Sequence, residues 1–258
     1  MKAIDIINKI ENICPENLAY SWDNVGLLCG DKNKEIKTVL LTLDTNLNVV
    51  KEAVETGADM IVSHHPILLG GIKRIDYSTP TGKMLKLLIE NNIVLFAAHT
   101  NMDTANGGIN DALAELFELS DVKILEQHTD NTEAGLGRYG KLSKSVTLSE
   151  LAKITKNKLK TPCVRVSGDL NANISTLAVA SGSCSEIIPL AKSLGCDAII
   201  TGDMKYHNSI DSVESGICVI DAGHYPTELI VMDIFESILK DSDLKLIKSK
   251  NKDIFQFI

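Results

Sequence analysis

Three short stretches of the chain join a histidine to a second histidine or to a carboxylate. They are Ser63-His64-His65-Pro66, the run from Ala98 through His99 to Asp103, and the run from Ala222 through His224 to Glu228. Neutral imidazole suits zinc, iron, manganese or nickel, and carboxylates can bridge two such ions. Neighbouring side chains on an extended chain point apart, so His64 and His65 do not comfortably share one ion there. In a turn, each can serve its own. Two histidines on two ions, joined by carboxylates from other segments, is how a two-metal site is built, with the ions roughly 3.5–4 Å apart around a water or substrate oxygen. Pro226 suits the first position of a helix, which puts Glu228 in the first turn and His224 just ahead of it, so the two can share an ion. Each residue also has a plain use. A single histidine is commonly an ordinary surface or core side chain, and Asp103 or Glu228 can serve the N–H groups at a helix start. A shared metal site is favoured because all three stretches follow predicted strands and together hold four of the six histidines.

The elements that must position these residues are legible as alternating patterns. Short apolar runs predict strands over 37–43, 58–63, 93–98, 174–180, 197–201 and 217–221. Helical periodicity predicts helices over 46–56, 80–91, 107–118, 148–157, 185–194, 205–214 and 227–240. Thr147 and Glu150 form a capping-box start for the helix at 148. This alternation means βαβ units and mostly parallel sheets. In open α/β sheets the ligand site lies outside the carboxyl ends of the strands, so three distant segments can converge on one site.

An internal repeat strengthens this reading. Residues 38–65 lie over 176–203 without a gap, matching Thr38 with Thr176, Gly57 with Gly195, Asp59 with Asp197 and Ile61 with Ile199. Residues 91–103 resemble 215–228 with one residue of slip, matching His99 with His224 and Asp103 with Glu228. βαβ units resemble one another anyway, but two matched blocks in the same order point to a duplication. The expected architecture is α/β, two similar lobes facing each other across a cleft that holds the metal site, divided as 1–127 and 128–258. Residues 128–147 are polar and Gly-rich and read as the crossing between halves. The GLGRYG stretch (135–140) has the glycine spacing of a phosphate loop but lacks the strand before and helix after that the dinucleotide fingerprint requires, so a glycine-rich turn opening a strand is the better reading. Arg138, one of three arginines, is a candidate for binding an anion.

Composition bounds the rest. The chain has 258 residues, 44% of them hydrophobic and 23% charged, as in ordinary globular proteins. Acidic residues (34) outnumber basic ones (26) for a net charge of −8, which argues against broad binding to a phosphate backbone. Lys73, Arg74, Lys83 and Lys86 cluster, and a solvated basic face explains them most simply. No apolar stretch approaches the ~20 residues of a membrane span. Ile4, Ile7 and Ile10 are spaced for an amphipathic first helix rather than a signal peptide. The six cysteines (14, 29, 163, 184, 196 and 218) are scattered, with no CxxC, and read as reduced thiols in a cytoplasmic protein.

Six stretches in order, SWDNVGLLCGD (21–31), DMIVSHHPILLGG (59–71), AAHTNMDTANGGINDALAE (97–115), GLGRYG (135–140), ITGDMKYH (200–207) and DAGHYPTE (221–228), closely resemble the NIF-three-like family, the GTP cyclohydrolase 1 type 2 homologues. The resemblance covers essentially the whole chain, and HHP with the later GHxxTE is its most specific part. It implies a two-lobed α/β fold, a dinuclear metal centre between the lobes and a toroidal homohexamer. His64 and Asp103 then bind one ion, His65 and His224 the other, or the assignment is crossed, and Glu228 bridges both. Trp22, Asp23 and Asn24 match the family's early motif; Trp22 is equally readable as a packing anchor. His99 and His207 match recurrent positions, His99 as a group orienting a ligand and His207 as a proton carrier, and each is also readable as a hydrogen-bonded structural histidine. Some members carry a large insert between the halves, for which the crossing here is too short.

Two functions follow. One is a metal-dependent hydrolase acting on a nucleotide-like or heterocyclic small molecule, with two divalent ions activating a water. The other is a non-enzymatic metal-binding ring that acts as a metal chaperone, cofactor handler or regulator. Five side chains for two ions leave coordination positions open, whereas structural zinc sites are closed, often by cysteines. No P-loop or guanine-reading motif is present.

Overall fold

A computed structural model describes residues 1–70 and 72–258, so Gly71, at the end of the HHP stretch, lies outside the described residues. In chain order its strands are β1 (Gly26–Cys29), β2 (Thr38–Thr42), β3 (Met60–Ser63), β4 (Val94–Ala97), β5 (Ser120–Gln127), β6 (Gly135–Thr147), β7 (Arg165–Ser167), β8 (Asn173–Ser183), β9 (Ala198–Gly202), β10 (Cys218–Asp221) and β11 (Lys245–Lys248). They form two sheets in two compact units. The fold is mixed α/β.

The first unit comprises Met1–Ala105 and Val231–Lys252. Its sheet runs β1-β4-β3-β2-β11, with parallel pairing except for β1, which lies antiparallel on β4. Val39 to Leu41, Met60 to Val62 and Val94 to Phe96 are all fully buried. A parallel sheet is covered on both faces, which is why these strands read as unbroken apolar runs. The helices Leu47–Thr56 and Pro80–Glu90 cover one face, bringing Val49, Val50, Ala53, Met84 and Leu88 onto Leu40, Ile61 and Leu95. The helices Ala3–Glu11 and Val231–Leu239 pack on each other, and the latter also contacts β2. The first helix turns Ala3, Ile6, Ile7 and Ile10 inward. Ile4 is only half-buried, so the stripe expected at 4, 7 and 10 is rotated.

The second unit comprises Asn106–Ile230 and Asp253–Ile258. Its sheet runs β5-β6-β8-β9-β10-β7, with a parallel core of β8, β9 and β10 flanked by antiparallel β7 on one side and β6 and β5 on the other. The cores of the two units repeat. Asp59 takes backbone N–H groups from Lys37 and Thr38 at 2.9 and 3.1 Å, and Asp197 takes those of Ser175 and Thr176 at 2.8 and 2.9 Å. Gly57 and Gly195 each end a helix with positive φ, 66° and 82°, which glycine adopts at little cost.

The structure corrects the expected division at 127/128. Residues 120–127 pair with β6 and so belong to the second sheet, while the chain from Val231 returns to add β11 to the first. Residues 135–147 are a strand, not part of a crossing. Its glycines are there for close packing. A Cβ at Gly135 would overlap the Glu126 carbonyl, and one at Gly140 would lie 2.6 Å from that of Ser120. The helix expected over 227–240 is two helices, His224–Glu228 and Val231–Leu239. That over 185–194 opens as a 3-10 turn at Ser185–Ile187 before Ile188–Ser193, where Pro189 lacks an N–H. The capping box at 147 forms as expected, with Glu150 N donating to Thr147 Oγ1 at 3.2 Å and Thr147 N to Glu150 Oε2 at 2.8 Å.

Candidate metal centre

In the first unit, β3 ends at Ser63 and the chain turns sharply. The His64 and His65 amides donate to the Thr42 and Leu43 carbonyls at 3.2 and 2.9 Å, and Ser63 Oγ donates to the His65 carbonyl at 3.1 Å. The turn brings the two adjacent rings to 4.9 Å. β4 delivers His99, whose ring lies 5.1 Å from that of His64 and 5.3 Å from that of His65. Each of the three offers a ring nitrogen within 4.8 Å of the others. The short helix Thr100–Thr104 carries Asp103, which is buried, with Oδ1 3.8 Å from His64 Nε2. That is too long for a hydrogen bond, but it suits two donors each about 2.0–2.2 Å from one ion.

In the second unit, β10 is followed by Gly223 and the helix His224–Glu228. One turn of helix separates the two side chains, and His224 Nε2 lies 3.0 Å from Glu228 Oε2. Glu228 is buried against β8 at Gly182, where φ is +64° and a Cβ would collide with Glu228 Oε1. Glycine at 182 therefore makes the room that this carboxylate occupies.

The four imidazoles share one hydrogen-bonding arrangement. His64 Nδ1 bonds the Ala98 carbonyl at 2.8 Å, His65 Nδ1 bonds Asp44 at 2.8 Å, His99 Nδ1 bonds Asp23 at 3.0 Å, and His224 Nδ1 bonds Asp203 at 2.8 Å. A carbonyl or carboxylate can only accept, so Nδ1 is the donor in each bond and the ring is oriented by it. Metal-binding histidines are oriented in this way. The donor set, imidazole with buried carboxylate, fits a divalent ion. Asp44 and Asp203 were missed as support residues, although each directly follows an apolar run, the placement that marks the other candidates.

Asp23 does more than hold His99. It also accepts from Thr100 N at 3.1 Å and Thr100 Oγ1 at 2.6 Å. Burial alone raises its carboxyl, but the bonds from His99 and Thr100 outweigh burial and hold it well below the usual carboxylate range. Asn24 Nδ2 donates to the Leu68 carbonyl, tying this stretch to the segment after His65. Trp22 is 59% exposed, so it is not a core anchor.

The remaining candidates lie elsewhere. His207 is exposed in the first turn of the helix Tyr206–Glu214, with its ring against Tyr206. Arg138 is 2% exposed and its fork is spent on the protein, on Asp111 at 2.5 and 2.9 Å and on the Gly135 and Gly137 carbonyls at 2.7 and 2.8 Å. It is a structural ion pair, not an anion site. Lys73, Arg74 and Lys83 are exposed, as a solvated face requires. All six cysteines are free, and burial pushes the Cys14 thiol up to about 12. A cavity of about 530 Å³ in the second unit, lined by Arg165, Met204, Tyr206 and Ile210, contains none of the metal candidates. No helix among the described residues is long and apolar enough to cross a membrane.

Two α/β sheets with histidine–carboxylate groups at their strand ends define a mixed α/β protein equipped to hold a metal ion. Residues 1–254 match the profile of the Duf34/NIF3 (NGG1p interacting factor 3) family, and the chain belongs to that family. It is 41% identical over 262 residues to the "GTP cyclohydrolase 1 type 2 homolog" of Clostridium perfringens, with 100% of both chains covered. Among solved structures it resembles "Reduced HcgD from Methanocaldococcus jannaschii" at 36% identity and TM-score 0.84, covering 97% of this chain and 98% of that one. A Bacillus cereus protein related to NIF3 shares the fold at TM-score 0.93 and 24% identity, covering 100% of this chain and 99% of that one.

Proposed function

We propose that the protein holds two divalent metal ions on His64, His65, Asp103, His224 and Glu228 and hydrolyses a nucleotide-like or heterocyclic small molecule. The observation that carries the metal reading is the common arrangement of the histidines, each with Nδ1 held by a carbonyl or carboxylate, as metal-binding histidines are. The family resemblance supplies the partition. His64 and Asp103 would hold one ion and His65 and His224 the other, or the assignment would be crossed, and Glu228 would serve both. When bound, two such ions lower the pKa of a shared water toward neutrality. His99, held at Nδ1 by an ionised Asp23, offers Nε2 as a proton acceptor beside His64 and His65. His207 is the weaker proton carrier, because it stands outside the histidine groups. The cysteines take no part, which leaves a hard and borderline donor set suited to zinc, iron, manganese or nickel. We assign the protein to the cytoplasm and, by family resemblance, to a toroidal homohexamer.

The test is the metal content of untagged protein purified without added metal, for wild type and Glu228→Ala. About two ions per chain in wild type, with loss in the variant, is the expected result; a full complement in Glu228→Ala overturns the ligand assignment. Bound metal that exchanges within minutes, with no turnover across a panel of nucleotides and esters, replaces the hydrolase with a metal-handling ring.

A further inference from the structure

The chain has one tryptophan, and the fold leaves it exposed while fixing the backbone beside it. Trp22 is 59% exposed. The preceding turn is closed by Asp23 N donating to the Tyr20 carbonyl at 2.9 Å, and Tyr20 N donates to Thr100 Oγ1 at 3.0 Å. The next two residues are Asp23, whose buried carboxylate is fixed by His99 and Thr100, and Asn24, bonded to the Leu68 carbonyl. The indole stacks on Tyr20, with centroids 6.0 Å apart and planes 12° apart, and meets His99 in a T-shaped contact at 6.1 Å. His99 in turn touches His64 and His65. An exposed indole, backed on one side by a parallel ring and one ring away from two candidate metal ligands, is poorly explained as packing. Its geometry is that of a stacking surface, since every planar heterocycle presents a π-face and stacks on such a ring whatever its substituents.

We infer that Trp22, supported by Tyr20, is the platform on which a planar heterocyclic ring of the substrate stacks. The inference rests on the metal-dependent reading of the neighbouring histidines, and it assigns Trp22 as a binding residue. His99 lies between platform and ligands, so a stacked ring is held next to the groups proposed to act on it.

Because Trp22 is the only indole, its fluorescence reports the platform directly. Metal-loaded wild type is titrated with guanosine, with neopterin and with ribose 5-phosphate. Affinities are measured in parallel by calorimetry on wild type, Trp22→Phe and Trp22→Ala, together with metal content and sedimentation. The heterocycles are expected to quench the emission and ribose 5-phosphate is not. Trp22→Ala weakens heterocycle binding about tenfold or more, as loss of one stacking contact does, while Trp22→Phe keeps most of it and metal content does not change. Heterocycle binding seen by calorimetry without quenching, or with unchanged affinity in Trp22→Ala, overturns the inference. So does failure of both heterocycles to bind at millimolar concentration. A changed oligomer size in Trp22→Ala with unchanged affinity makes the exposed indole a subunit contact instead. Quenching in a protein that takes up no metal leaves the platform standing and removes the metal centre, whereas bound metal without quenching does the opposite.

Discussion

A metal-binding histidine is oriented and made more basic by a hydrogen bond at its other nitrogen. Here the acceptors are the Ala98 carbonyl and the carboxylates of Asp44, Asp23 and Asp203, and each fixes a ring orientation. Replacing Asp44 or Asp203 with Ala is expected to weaken metal affinity about 10- to 100-fold with little loss of fold, read by competition with a chromophoric chelator. An unchanged affinity means that the carboxylate does not support its histidine. Gly182 makes a sharper demand. Its φ of +64° and the absence of a Cβ both serve the buried Glu228 carboxylate. Gly182→Ala is expected to displace Glu228, lower metal content, and cost about 1–3 kcal/mol from the left-handed backbone. Chemical denaturation together with metal analysis checks both effects. Retained metal at full stability shows that the space is not needed.

At the scale of elements, each unit is built on a strand–helix–strand core whose entry is tied by an aspartate. Asp59 caps the open amides at the start of β2 and is also paired with Lys34 at 3.4 Å. Burial raises its carboxyl, but the Lys37 and Thr38 amides and the Lys34 charge outweigh burial and lower it. A carboxyl with a depressed folded pKa stabilises the protein above its unfolded value, near 3.9, and loses that contribution as pH falls through the folded value. Asp59→Asn is therefore expected to destabilise the protein by about 1–2 kcal/mol at pH 7, with the gap to wild type closing below about pH 4. Urea melts at both pH values measure this. A gap that stays constant with pH assigns the role to shape rather than charge.

The whole molecule depends on connections that no local pattern announces. The chain leaves the first unit at Ala105, builds the second, and returns at Val231 to add a helix and β11 to the first. In the second unit, Arg138 joins β6 to the helix Ile109–Leu116 through Asp111. Its side chain is almost wholly enclosed, so Arg138→Met leaves a carboxylate without its partner and two carbonyls without a donor. The expected cost is about 3–5 kcal/mol, read as a large fall in the denaturation midpoint. A loss under about 1 kcal/mol means that the pair is no more than a surface-like bridge.

What the sequence determined by itself follows from local physics. Strands 38–42, 60–63, 94–97 and 198–202 were readable because parallel strands buried on both faces must be continuous apolar runs. The histidines and carboxylates stood out as candidates because strand ends are where such sheets place ligands. The capping box at 147 was readable because both its partners lie within four residues. Tertiary structure decided the rest. β5, β6 and β7 lie outside the parallel core, and β5 and β7 carry exposed, polar residues, so their identity depends on the strand that pairs with them. Arg138 read as a candidate anion binder until Asp111, 27 residues away, was seen to meet it. The exposure of Trp22 depends on Thr100 and Leu68 fixing its neighbours. Residue types can be read one at a time, but a hydrogen-bond partner distant in sequence is chosen only when the chain folds.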